Sequence, residues 1–436
     1  MKKNQKFRTV VLAADNLYQQ TAMSPEARTI LENLHQPERL EQLYRENPAA
    51  FRQALKEALQ HRPDSETLRV WHVRLTYRPE RPGFWRHPAL WKVLAIALGT
   101  ALLVRLPLLW LAPDWYLPRF APMWSLLALA AYFALGRSIS RRVLLAGLAL
   151  TLLSALWVSF LPDETDTTVM ALLHLPVLFW LYAGMVYLGG AWTLPENRCT
   201  FVRYSGALLI TASLLALGGL VFSALTVGLF ELVRPEAEEW YFQNIGLPGL
   251  AALPVVAAFA GELLRGRQEA FLELLARLFG PLFLAMISTF LVATLLGGKN
   301  PFLDRNFLIV FNGVLLLVLA MTVFLILLRE RQRGVELQDY LNVALVALTL
   351  LIDAIALAAI FFRLTTFGLT PNRIVVLGAN LLIFVHLAWI GRDYMRLLRG
   401  KADYTRLERT IGRYLPVYAL WAVFVVFVLP PLFGFG

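Results

Sequence analysis

Asp353 sits in Leu-Ile-Asp-Ala-Ile, near the middle of an apolar run from 341 to 363. An ionised carboxylate at the centre of a bilayer costs roughly 2.5 to 3.5 kcal/mol unless it is paired, hydrated or protonated. The residue must therefore face other protein, either as a proton or cation site or as the structural partner of a buried arginine. Arg105, in the first apolar run, is the basic candidate, although its guanidinium could instead reach past Pro107 to the interface. His174 follows Asp166 by eight residues, about two helical turns, so the two could form an acidic mouth leading to an imidazole. The sequence His-Leu-Pro equally suits a side chain that supports the backbone carbonyl freed by Pro176. His386, with Asn380 about two turns earlier, carries the same ambiguity. Asp353, Arg105, His174 and His386 thus form the candidate intramembrane polar site, while Asn312 and Asn342 read as hydrogen-bond partners between helices.

A second candidate site lies at the loop Arg-Leu-Thr-Thr-Phe-Gly-Leu-Thr-Pro-Asn-Arg, residues 363 to 373. Gly368 permits a tight turn, Thr370 can N-cap the next helix with Pro371 in its first position, and Arg363 and Arg373 carry forked donors. These residues make either a structural turn or a clamp for phosphate or carboxylate. The pattern resembles the R-x-x-x-x-G-L-T-x-x-R outer loop of a bacterial family of multi-pass membrane proteins of unknown function. That resemblance implies a bacterial inner-membrane location and brings no activity with it.

The stretch 392 to 413 is the most basic short connection. Arg392, Arg396, Arg399, Lys401, Arg406, Arg409 and Arg413 interleave with Tyr394, Leu397, Leu398, Tyr404, Leu407 and Ile411. This suits an amphipathic helix on an anionic leaflet, with anionic lipids as partners and an acidic protein as the secondary possibility. Nothing else in the chain points to a named reaction. A membrane enzyme would need paired acids near the interface, but Asp114 stands alone and Asp163, Glu164 and Asp166 lie too close together in sequence. The single cysteine, Cys199, excludes an intramolecular disulfide and any cysteine-based metal cluster. No cofactor is expected.

The elements that must position these residues are read from apolar length. Roughly eleven stretches suit membrane helices: 90 to 112, 119 to 136, 142 to 161, 168 to 192, 203 to 230, 242 to 264, 275 to 296, 303 to 328, 341 to 363, 373 to 391 and 414 to 433. The expected fold is an all-α polytopic membrane protein of residues 90–436, preceded by a small helical domain of residues 1–89. Breaking residues Gly246, Pro248, Gly249 and Pro254 either interrupt or kink the sixth stretch. Gly189-Gly190 and Gly218-Gly219 suggest close helix packing.

Arginine and lysine concentrate in alternate connections, among them Arg137, Arg141, Arg142 and Arg329, which places those loops and the N-terminal domain in the cytoplasm and the C-terminus outside. The same bias explains the net charge of +11 without nucleic acid. In the N-terminal domain, Ser24-Pro25-Glu26 and Asn47-Pro48 mark two helix starts, a shorter helix covers about 38 to 44, and Leu68 to Arg78 fits helix or strand, with helix favoured because no partner strand is evident. Pro79, Pro82 and Gly83 form the break before the membrane. Three functions are compatible with this organisation. The leading one is a small-solute or ion transporter, proton-coupled in one version. The alternatives are a membrane scaffold or sensor that signals through a protein partner of the N-terminal domain, and an enzyme acting on lipid or lipid-linked sugar. No internal repeat supports the inverted symmetry of many transporters.

Overall fold

Ser24 shows how the chain starts its helices. Its hydroxyl oxygen accepts the Ala27 N–H at 3.3 Å, Pro25 takes the first helical position, and α1 runs Pro25–Glu32. In the computed structural model, residues 23–76, 87–231, 237–263, 278–289, 291–292, 305–329 and 334–436 are described. The chain divides into two compact units, Met1–Arg86 and His87–Gly436. The break expected at Pro79, Pro82 and Gly83 lies outside the described residues.

In the first unit α1 is followed by α2 (Pro37–Glu46), α3 (Pro48–His61) and α4 (Glu66–Thr76). Ser24 also donates its hydroxyl and backbone N–H to the Glu57 carboxylate at 2.5 and 2.9 Å, which pins the start of α1 to α3. The ambiguous segment is helical because its burial follows a helical period. Leu68 and Trp71 are buried, whereas Val73, which a strand would place beside Trp71, is 58% exposed. The Trp71 ring packs on Tyr44 and Phe51 at 5.8 and 5.0 Å, and the Arg74 guanidinium lies over it at 4.5 Å.

The second unit is an all-α membrane bundle. Its helices are α5 (Leu90–Arg105), α6 (Pro113–Ala134), α7 (Arg141–Phe160), α8 (Asp166–Tyr187), α9 (Pro195–Glu231), α10 (Leu247–Leu263), α11 (Leu278–Thr289), α12 (Arg305–Leu327), α13 (Leu337–Phe367), α14 (Pro371–Leu398) and α15 (Tyr404–Val423). Among the described residues, eight helices are long and apolar enough to cross a membrane. Their outer faces show why lipid is the solvent: Leu144, Leu145, Leu148, Leu152 and Leu156 of α7 are each more than half exposed, a surface that water would penalise. The largest buried core joins α12, α13, α14 and the start of α15 through Leu315, Val318, Ile352, Ala356, Ile383, Leu387 and Leu407.

Of the two alternatives for the sixth stretch the interruption falls away, and one expectation about glycines needs correction. The sixth apolar stretch is not interrupted: a π turn at Phe242–Gly246 links Ala237–Tyr241 to α10, which carries Pro254 inside it. Among the described residues Gly218 and Gly219 serve no close packing, since a Cβ at either would meet none of them within 4 Å, and Gly189 and Gly190 take positive φ angles in the turn that follows α8.

Candidate functional site

Asn342 of α13 donates to the Tyr394 hydroxyl of α14 at 3.0 Å, which fixes the antiparallel register of these two helices. Eleven residues is about three turns, so Asp353 points from α13 the way Asn342 does and comes level with Ile383 of α14. Asp353 is fully buried, and neither carboxylate oxygen has a hydrogen-bond partner among the described residues. One turn away on α14, Asn380 donates to Asn312 of α12 at 2.9 Å. One turn to the other side is His386, 2% exposed, with Nδ1 at 2.9 Å from the Tyr418 hydroxyl and its ring stacked on Tyr414 at 4.3 Å. Its Nε2 has no partner among the described residues. Asp353 and His386 therefore belong to one polar seam along α13 and α14.

Arg105 and His174 are engaged elsewhere. The Arg105 Nε donates at 2.8 Å to Asn244, presented by the π turn before α10, and nothing pairs it with Asp353. The His174 imidazole lies 2.8 Å from the Met170 carbonyl of its own helix. That carbonyl is not the one Pro176 frees, which belongs to Leu172 four residues before the proline.

At the opposite end of α13, only residues 368–370 lie outside a helix: the expected loop of 363–373 begins inside α13 and ends in the first turn of α14. Gly368 takes φ +81°, and the Thr370 hydroxyl accepts the Arg373 N–H at 3.4 Å as the cap of α14. The Arg373 guanidinium donates to the Phe367 and Gly368 carbonyls at 2.9 and 2.7 Å, closing the C-terminus of α13. Arg363 and Arg373 both approach the Phe367 ring, at 5.9 and 5.8 Å. Gly368, Thr370 and Arg373 are thus brought together as a cap, with Arg363 across the same ring.

Sequence reasoning missed a layer of buried acids at the basic end of the bundle. Asp339, Asp393 and Glu408 are each about 1–2% exposed. Asp339 accepts from the Tyr404 hydroxyl and pairs with Arg329, whose guanidinium stacks on the Tyr404 ring at 4.2 Å. Asp393 accepts from the Thr410 hydroxyl at 2.6 Å and faces Arg406 and Arg392 at 3.2 and 3.4 Å. Glu408 pairs with Arg203 at 3.4 Å. The signal available was the placement of single acids within strongly basic stretches.

Arg119 was also missed. It is 3% exposed and donates to the Val158 and Leu161 carbonyls at 3.0 and 3.2 Å, so it caps α7 from the side and holds Asp163 at 2.7 Å. Among the described residues, no group of three His, Cys, Asp or Glu side chains could hold a metal ion.

Fold and seam together define a polytopic α-helical membrane protein with a carboxyl group inside its helix bundle. No family model, no curated protein and no solved structure matches the chain.

Proposed function

We propose that this chain is an inner-membrane transporter that moves a proton or small cation, coupled to a small solute, along the α12–α13–α14 seam, with its basic end in the cytoplasm. The observation that carries this reading is Asp353, buried at mid-helix with no hydrogen-bonding partner among the described residues. A carboxylate in that position is costly, and a bound proton or cation cancels its charge. A group that can be emptied and refilled in this way is what a coupled carrier needs. Asn312, Asn380 and His386 supply polar atoms one turn to either side.

Proteoliposomes with an imposed pH gradient and a trapped pH-sensitive dye test the proposal. The wild-type protein should dissipate the gradient and Asp353→Asn should not; equal rates would remove Asp353 from any such role.

A second reading, a sensor or scaffold, draws on the core that the first unit builds from Ala27, Ile30, Phe51, Leu55, Leu68 and Trp71. Deletion of residues 1–86 leaves ion flux intact under the transporter reading and abolishes the output under the sensor reading.

A further inference from the structure

The last turns of α14 and the first turns of α15 enclose a cavity of about 480 Å³, closed at one end by the connection 399–403. Five cations line it: Arg392, Lys401, Arg406, Arg409 and Arg413. Arg406, Arg409 and Arg413 are spaced by three and four residues, so they share the outward face of α15. The two lining carboxylates are already committed. Asp393 is buried against Thr410 and Arg406, and Asp403 caps α15 by accepting the Arg406 N–H at 3.1 Å. Arg409 is likewise held, by Glu196 at 2.5 Å. Lys401 and Arg413 form no ion pair within 4 Å among the described residues, although the charge of Arg413 reaches Glu196, and together they leave the cavity with a net cationic lining.

We infer that this cavity binds the phosphate headgroup of an anionic membrane lipid. The inference rests on the membrane location of the helices and is independent of transport. Forked and ammonium donors arriving from two helices and a turn suit a phosphate oxygen set, and the volume suits a headgroup more than a folded segment. The surroundings select a lipid over a free anion. On α14 the face of Arg392 continues through Val385 and Leu381, seven and eleven residues earlier, which are 46% and 50% exposed. On α15 the face of Arg413 continues to Leu420, seven residues later and 70% exposed. Seven and eleven residues are about two and three turns, so each cationic face runs into an apolar one on the same side of its helix. Trp389 lines the cavity where the two meet, with the Arg392 guanidinium 5.7 Å from its ring. A headgroup in the cavity would leave its acyl chains along Leu381, Val385 and Leu420.

Native mass spectrometry of the full-length protein, released from a neutral detergent, tests this with three probes: phosphatidylglycerol, phosphatidylcholine of the same acyl chains, and inorganic phosphate. The wild type should retain phosphatidylglycerol over phosphatidylcholine by about tenfold or more. Lys401→Gln with Arg413→Gln, which breaks no ion pair among the described residues, should reduce that ratio to near one. Arg141→Gln with Arg142→Gln, an equal charge loss at another basic connection, should leave it unchanged. The site is overturned if the first variant retains phosphatidylglycerol as the wild type does, or if the second loses it equally. It is overturned as a lipid site if inorganic phosphate displaces phosphatidylglycerol as completely as excess phosphatidylglycerol does. If the double variant unfolds, Lys401→Gln alone, at an exposed turn position, should still lower the ratio several-fold, and an unchanged ratio there counts against the site.

Discussion

The Asn380 side-chain amide donates to Asn312 at 2.9 Å one turn of α14 from the level of Asp353, yet neither asparagine bonds to the Asp353 carboxyl. One amide–amide hydrogen bond links α12 and α14, and the acid on α13 takes no hydrogen bond among the described residues. Substitutions at the two positions should therefore act in opposite senses.

Asp353→Asn removes no hydrogen bond to a described residue, so the unfolding temperature in detergent should stay the same or rise. Asn380→Ala leaves Asn312 without its partner and should cost about 1 to 2 kcal/mol. A destabilised Asp353→Asn would reveal a partner for the carboxyl and refute the description of the seam.

Arg119 and Asp163 form an ion pair of unequal members, because the arginine side chain is 4% exposed and the aspartate 68%. Asp163→Asn should cost less than about 1 kcal/mol, as exposed partners do. Arg119→Lys keeps the charge but not the fork, so it should cost about 1 to 3 kcal/mol through the Val158 and Leu161 carbonyls. Chemical denaturation of the two variants gives the comparison, and equal losses would show that the α7 cap is not what Arg119 supplies.

In the N-terminal unit, hydrogen bonds from the Ser24 hydroxyl and backbone hold the Glu57 carboxyl below its ordinary value of 4.5. The Arg45 side chain, with Arg74, does the same for Glu41. A carboxyl depressed on folding contributes stability that is complete above the unfolded value and is lost as pH falls through the folded one. Amide exchange across residues 24–61 should therefore accelerate below about pH 4.5 beyond its intrinsic pH dependence, and Glu57→Gln should remove part of that acceleration. An identical profile in the variant would show that the Ser24 contact does not act on folding.

These contacts divide by how far the chain must travel to make them. Caps were legible at Ser24, Asn47 and Thr370 because the accepting side-chain oxygen and the backbone N–H that donates to it lie three residues apart. Apolar length located the helices, but it underestimated α9, α13, α14 and α15, whose polar ends stay helical, so the stretch 392–413 is not one amphipathic surface helix but the end of α14 and the start of α15 joined by 399–403. The acids at the basic end were illegible because Glu408 and Arg203, or Tyr404 and Asp339, are 205 and 65 residues apart. The polar seam was half legible: Asp353 and His386 were singled out by type, while Arg105 was assigned to it only because no register could be read.

Gly412 on α15 marks a backbone contact with α9. A Cβ there would lie 2.2 Å from the Pro195 carbonyl oxygen, which cannot swing aside as a side-chain tip can. Gly412→Ala should destabilise the bundle by about 1 to 3 kcal/mol, whereas Gly218→Ala, in open space, should be neutral or slightly stabilising. Thermal unfolding followed by circular dichroism separates them, and a neutral Gly412→Ala would mean that the two helices are not in contact there.

The acids at the basic end also make the bundle depend on its last helix. Asp339 lies on α13 and Asp393 on α14, but Tyr404, Arg406 and Thr410, which complete their surroundings, all lie on α15, the last of these helices in chain order. Without α15, Asp339 would keep only Arg329 as an ion-pair partner, and Asp393 only Arg392 and Arg396, among the described residues. Docking of α15 also brings Glu408 to Arg203 of the much earlier α9. On these contacts α15 is the keystone of the basic end, so a chain truncated before Tyr404 should be cleaved faster than the full chain in limited proteolysis.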